Sequence, residues 1–379
     1  MAMTLKEDLA TLIGFPTVSN RPLTELAAWL AHRCEDLGMR VERFEDPQDR
    51  GKCSLICTAG PQTGAGLVMS GHMDVVPTEG QPWTTDPFRL TERDGHYVGR
   101  GTADMKGFFA ATLHAIAGVD LSKLQHELTL IWTHDEEVGC LGSGQLVEAW
   151  DRIGRPLPKA CLIGEPTDFQ VLRMHPGHVA IEVVTFGQAA HSSQPDLGHN
   201  AIEDAARVVR AARALADDLL HERSTDLPEM TRPWVAFNTA TIHGGSAVNI
   251  VPDQCAIQIG YRPLPGMEPL EVFARLQQRI ADLGLARAAE MRVLRVTPAM
   301  LTQGGTHLQS TLSEHTHHDT CGAATFATDG GNLARLGLEP LVFGPGRIEV
   351  AHQADEAIAI DQLVQSVSIF ERVIRSHCL

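Results

Sequence analysis

The chain opens with two helical patterns, over residues 4–14 and 22–38. Short apolar runs of strand length follow at 54–57, 67–70, 128–133 and 160–163. Helical patterns return between those runs, near 107–117 and 142–150. Short apolar runs bounded by Gly and Pro, with crossover helices between them, predict a mixed or largely parallel sheet covered on both faces.

Near Gly177 the pattern changes. An alternating strand is predicted at 179–187, a helix at 200–220, strands at 235–243 and 254–262, a helix at 269–283 and a strand at 291–297. That order is the order of a ferredoxin-like unit. The larger domain resumes near residue 298 and ends with a strand at 341–344 and a helix at 361–376. A chain of 379 residues exceeds one ordinary core, which agrees with two domains. The expected class is α/β: a mixed-sheet catalytic domain of residues 1–176 plus 297–379, with an inserted ferredoxin-like domain at 177–296.

Charge narrows the function. The net charge is −16, with 47 acidic residues against 31 Lys plus Arg, which argues against nucleic acid and anionic membrane as partners. A small-molecule substrate or a bound cation suits it better. No apolar run approaches a bilayer span, and the first residues lack an apolar signal core, so a cytoplasmic protein is expected. The eight cysteines include no CxxC pair and read as reduced thiols. No GxSxG nucleophile elbow or GxxxxGK[ST] phosphate loop is present.

In open α/β sheets ligands gather beyond the carboxyl ends of the strands. After 67–70 comes Gly71-His72-Met73-Asp74; after 128–133 comes the acid triplet Asp135-Glu136-Glu137; after 160–163 comes Gly164-Glu165. Between the first two sits Asp104, just before a predicted helix, where it could bridge two ions. His72 and Asp74 are two apart in an extended segment, which suits an imidazole ligand whose second nitrogen is held by a carboxylate. Glu136 and Glu137 are adjacent and diverge, so one can face a metal and the other its water. Imidazole and carboxylate donors without cysteine suit zinc, cobalt or manganese.

The stretches SGHMDVVP, GRGTADMKG, DEE, GEPT and GPGRIEVAHQADE, with AHSS, NIVP and RPLPGM in the inserted domain, resemble the M20 family of di-metal peptidases and deacylases. The resemblance covers essentially the whole chain, and its combination of motifs is highly specific. Carried over, it makes Asp104 the bridging ligand of two divalent ions, Zn2+ or Co2+. His72 and Glu165 would complete one ion's site, and Glu137 and His352 the other's. Glu136 matches the general base, Asp74 the partner of His72, and His191 a donor to the oxyanion, often across a dimer. Asn249 and Arg262 would hold the substrate, Arg262 as a fork on its α-carboxylate. The resemblance also implies a cis peptide at Asp104–Met105, and it makes the inserted domain a lid and the contact of a homodimer.

Within the family the chain looks most like the acetylornithine deacetylases, which implies hydrolysis of N2-acetyl-L-ornithine to L-ornithine and acetate in arginine biosynthesis. His175-Pro-Gly-His178 and the ending around His352 lean that way rather than toward succinyl-diaminopimelate desuccinylation. The segment Ala327-Thr-Asp-Gly-Gly331 departs from those enzymes, which leaves N-acetylcitrulline or another N-acyl amino acid open. The His-rich run at 315–319 looks metal-like but is read as a solvated helix or turn.

Overall fold

The computed structural model describes residues 3–379 apart from Asn20, His317 and Asp319, and without the side chains of Asp151 and Ile153. The expectation for the His-rich run therefore falls partly on His317 and Asp319, outside the described residues. Two compact units divide the chain. One comprises residues 1–174, 300–323 and 328–379, and the other 175–299 and 324–327.

The larger unit is built on a mixed sheet of nine strands among the described residues. At its heart Gly66–His72 lies between Glu127–Thr133 and Ala160–Ile163, and both neighbours run parallel to it. Glu339–Val342 continues the parallel set beside Ala160–Ile163, whereas Cys53–Ala59 and Arg40–Glu45 add antiparallel strands at the other side. Cys53–Ala59 and Glu127–Thr133 are buried along their whole length, as near-continuous apolar runs must be when both faces are covered. Arg40–Glu45 escaped the sequence reading because it is a half-exposed edge strand whose charged residues blur the alternation. So did the small antiparallel sheet of Thr91–Arg93, His96–Val98 and Ala357–Ala359, whose strands are too short for periodicity to register.

Helix Lys106–Ala117 forms the centre of the core, buried at ten of its positions from Lys106 to Ile116. Its Phe108 meets Phe370 of the C-terminal helix Ile360–Cys378 edge-on at 5.2 Å, and Phe109 packs on Trp132 of the sheet at 4.3 Å. The N-terminal helix Leu5–Ile13 begins with a capping box. The Thr4 N–H donates to Glu7 Oε2 at 2.7 Å, and the Glu7 N–H donates to Thr4 Oγ1 at 3.3 Å.

Two glycines let the sheet approach this core helix closely. A Cβ on Gly164 would sit 2.1 Å from the Phe108 ring, and one on Gly71 would sit 2.7 Å from Met105 Cε. Each glycine directly precedes a proposed ligand, Glu165 and His72. The missing side chains thus bring two strand ends down onto the start of one helix.

The second unit is a four-stranded antiparallel sheet. Its order is Ala236–Gly244, Gln254–Arg262, His178–Phe186 and Glu290–Thr297, with helices Ala201–His221 and Glu271–Ala281. Helix Ala201–His221 buries Ala201, Ala205, Val208, Ala212, Leu215 and Leu219, a stripe at three- and four-residue spacing. The first and third strands of the unit pair at the centre, which is the ferredoxin-like arrangement. No helix among the described residues is long and apolar enough to cross a membrane.

Candidate metal centre

His72 closes strand Gly66–His72 and is 1% exposed. Its Nε2 lies 3.0 Å from Asp104 Oδ1 and 3.8 Å from Glu165 Oε1. The other oxygen of Asp104, Oδ2, lies 3.3 Å from Nε2 of His352, which is also 3.0 Å from Glu137 Oε2. Thus the two oxygens of one carboxylate face two different imidazoles. Ligand atoms of His72, Asp104 and Glu137 all fall within 4.8 Å of one another. The peptide bond between Asp104 and Met105 is cis.

One sequence expectation needs correction. The second nitrogen of His72 does not bond the carboxylate of Asp74. Nδ1 instead meets the main-chain carbonyl of Asp74 at 2.9 Å, while the nearer carboxylate oxygen is 3.7 Å away. That carboxylate is occupied elsewhere: it accepts the main-chain N–H groups of Glu136 at 3.0 Å and Glu137 at 3.2 Å, and the Ser19 hydroxyl at 2.8 Å. Asp74 therefore orients both the imidazole and the acid pair, by different atoms. Spacing in an extended strand could not distinguish the two acceptors of one residue.

Asp135 turns the chain, with φ of 52°, in the left-handed region that Asp tolerates better than most residues. Its side chain pairs with buried Lys52 at 2.6 Å and lies 3.2 Å from His134. This carboxylate is used inside the fold, and the two that follow point elsewhere.

Crowding sets the charge state. Burial pushes the Glu136 and Glu165 carboxyls well above the usual carboxylate range, against the opposing pull of His72. Burial, with Asp104 close by, raises Glu137 to about 7. Burial also works to raise Asp104, but hydrogen bonds with His352 and His72 outweigh it and hold that carboxyl down. Hydrogen bonds to Asp104 and Glu137 raise His352 to about 10. Buried carboxylates with too little positive charge are the environment that cations relieve. Two imidazoles and two further carboxylates around a doubly faced Asp104 fit a pair of divalent ions.

Supporting residues that the motif search did not single out stand behind this set. Glu356 Oε1 accepts the main-chain N–H groups of Ala103 at 2.9 Å and Asp104 at 3.0 Å. Its other oxygen pairs with Arg100 at 2.6 Å, each side chain 1% exposed. Arg100 also donates to Gln81 Oε1 at 2.7 Å, and Gln81 Nε2 donates to the carbonyl of His352 at 2.8 Å. This chain of contacts ties the backbone of Asp104 to that of His352. Arg100 and Glu356 lie within the motifs GRGTADMKG and GPGRIEVAHQADE, and that membership was the available signal.

The other predicted residues belong to the second unit. His191 is exposed, with Nδ1 2.7 Å from Ser193 Oγ, and its segment bridges to Ile250. The carbonyl of Asn249 accepts the Ser192 N–H at 3.1 Å, so His191 and Asn249 lie on adjoining segments. Arg262 ends strand Gln254–Arg262 and lines a cavity of about 240 Å3 with Pro176, Met230, Trp234 and Leu264.

Comparison with known proteins places the chain among relatives. The chain is 34% identical to an acetylornithine deacetylase of Myxococcus xanthus over 99% of its own length and 97% of the relative's. It shares its fold with an M20 family metallo-carboxypeptidase of Sulfolobus solfataricus, at a TM-score of 0.79 and 17% identity over 99% of both chains. A dinuclear metal binding M20 peptidase of Bacillus subtilis aligns with a TM-score of 0.67 and 14% identity over 98% of this chain and 96% of the other. Residues 68–376 match Peptidase family M20/M25/M40, a span running from the strand that ends in His72 to the C-terminal helix. This chain belongs to that family and is a hydrolase.

Proposed function

We propose that the protein hydrolyses the amide bond of N2-acetyl-L-ornithine, releasing L-ornithine and acetate in arginine biosynthesis. The observation that carries this reading is the convergence of His72, Asp104, Glu137, Glu165 and His352 in a chain so similar to an acetylornithine deacetylase. Two divalent cations, Zn2+ or Co2+, would bind there and supply an activated water and a polarised acyl carbonyl. Asp104 would bridge them, His72 and Glu165 would hold one, and Glu137 and His352 the other.

Glu136 would take the proton of the attacking water and return it to the leaving amine. His191 would donate a hydrogen bond to the oxyanion, and Asn249 and Arg262 would hold the substrate. In this reading the larger unit is catalytic, and the second unit serves as lid and dimer contact. Strand Ala236–Gly244 supports a homodimer: it is an exposed edge of its sheet, its Ile242 is 51% exposed and Val248 beyond it 101%. The protein would work in the cytoplasm.

The departure at Ala327–Gly331 favours a second reading, deacylation of N-acetylcitrulline or another N-acyl amino acid, with succinyl-diaminopimelate as a further alternative. A substrate panel of these compounds, compared by kcat/KM with metal supplied, tests the choice. Acetylornithine should lead. A higher kcat/KM for any other member replaces it.

A further inference from the structure

The departing segment that carries Asp329 has a second consequence. Asp329 is 2% exposed, and among the described residues no Lys or Arg pairs with it. One oxygen accepts the Thr133 hydroxyl and the other the Ser143 hydroxyl, each at 2.5 Å. Thr133 is the last residue of its strand, and Ser143 lies in the first turn of helix Leu141–Ile153. The segment between them carries the acid triplet. A single carboxylate therefore grips both ends of the loop that presents Glu136 and Glu137.

Asn332 adds a third hold. Its Nδ2 donates to the carbonyl of Cys140 at 3.1 Å and to Ser143 Oγ at 3.0 Å. Ser143 has one hydroxyl proton and two acceptors in reach, Asp329 and the Cys140 carbonyl at 3.0 Å. The charged acceptor takes it, which leaves the Cys140 carbonyl to Asn332 and to the Gly144 N–H at 3.0 Å. Cys140, so anchored, donates its thiol to Glu136 Oε1 at 3.3 Å. The contacts run without a gap from Asp329 to the carboxylate of the proposed base. Gly330 lets the turn seat there, since a Cβ would meet Met300 Sδ at 2.5 Å.

Burying a carboxylate without a cationic partner is costly, and an apolar side chain would fill the space more cheaply. We propose that Asp329, with Asn332, is a positioning residue that holds Glu136 in register with its water by clamping Thr133, Cys140 and Ser143. This inference rests on the reading of Glu136 as the base.

The test uses the metal-loaded enzyme and the variants Asp329→Asn, Thr133→Val, Thr133→Ser and Glu136→Gln. Asn keeps the shape of Asp329, but its NH2 end cannot accept a hydroxyl. Asp329→Asn should lower kcat by about 10- to 100-fold, the scale of a misplaced catalytic group. KM and metal content per chain should stay within about twofold, while amide exchange of the 134–140 segment quickens and the core strands stay protected. Thr133→Val should behave likewise and Thr133→Ser should recover. A normal kcat in Asp329→Asn overturns the proposal, as does a loss that tracks metal content with unchanged exchange in the loop. Should Asp329→Asn fail to fold, equal kcat and exchange in Thr133→Val and Thr133→Ser refutes it. If Glu136→Gln keeps its activity, the base reading fails, and the exchange measurement still decides whether Asp329 holds the loop.

Discussion

His352 Nε2 lies 3.0 Å from Glu137 Oε2, although 215 residues separate the two in the chain. The same nitrogen is 3.3 Å from Asp104, whose other oxygen faces His72. The closing strand-to-helix connection of the fold thus completes a cluster begun by the first strands. Its chemistry can be tested one group at a time.

Glu136 is close to the cluster without being one of its proposed ligands. Glu136→Gln keeps the size of the side chain and removes the proton acceptor. It should leave two metal ions bound per chain and lower kcat by about 10²- to 10⁴-fold, the range for general acid–base catalysis. Metal analysis with steady-state kinetics checks this, and a near-normal rate would remove Glu136 from the role.

Cation binding should be strongly pH-dependent. In the cation-free site Glu137 sits at about 7 and His352 at about 10, so both carry protons that coordination must displace. Apparent affinity should therefore climb as pH rises through about 7 and onward, and fall in acid. Chelator competition across that range measures it, and a flat profile would contradict the assignment of these two ligands. Full chelation should abolish activity, and added zinc or cobalt should restore it.

Glu356→Gln breaks a fully buried pair and leaves Arg100 without its charge partner. Thermal unfolding should report a loss of about 3–5 kcal/mol, as for other buried pairs broken from one side. Metal affinity should fall as well, because Glu356 also holds the N–H groups of Ala103 and Asp104. The double variant Arg100→Met/Glu356→Gln should regain stability but not metal affinity. Recovery of both would mean that the network serves folding alone.

His191 supplies the clearest test of the proposed dimer. Glu136→Gln and His191→Ala chains should each be nearly inactive. If His191 acts across subunits, mixing the two should restore activity at about a quarter to a half of the wild-type sites. Confirmed mixed dimers without recovery place its action within one chain.

Much of the architecture was readable in the chain. The apolar runs at 54–57, 128–133 and 160–163 became buried strands because they are uninterrupted and bounded by turns. The second unit's order of strands and helices was equally legible. Short or charged strands such as Arg40–Glu45 and His96–Val98 were not, since pairing rather than composition makes them strands. His72, Asp104 and the acid pair could be suspected from their places at strand and helix ends. His352 could not be derived that way; only the resemblance pointed to it.

What the sequence determined by itself was the inventory: metal-capable side chains at successive strand ends, glycines before two of them, and the succession of elements. Which atoms meet was decided by tertiary structure. It gave the His72 Nδ1 contact to the carbonyl of Asp74 and freed that carboxylate for the Glu136 and Glu137 amides. It paired Asp135 with Lys52 and set Asp329 against both ends of the acid-bearing loop. The physical reason is that spacing along a strand constrains direction. A hydrogen bond depends on which donor the packed chain brings within about 3 Å of which lone pair.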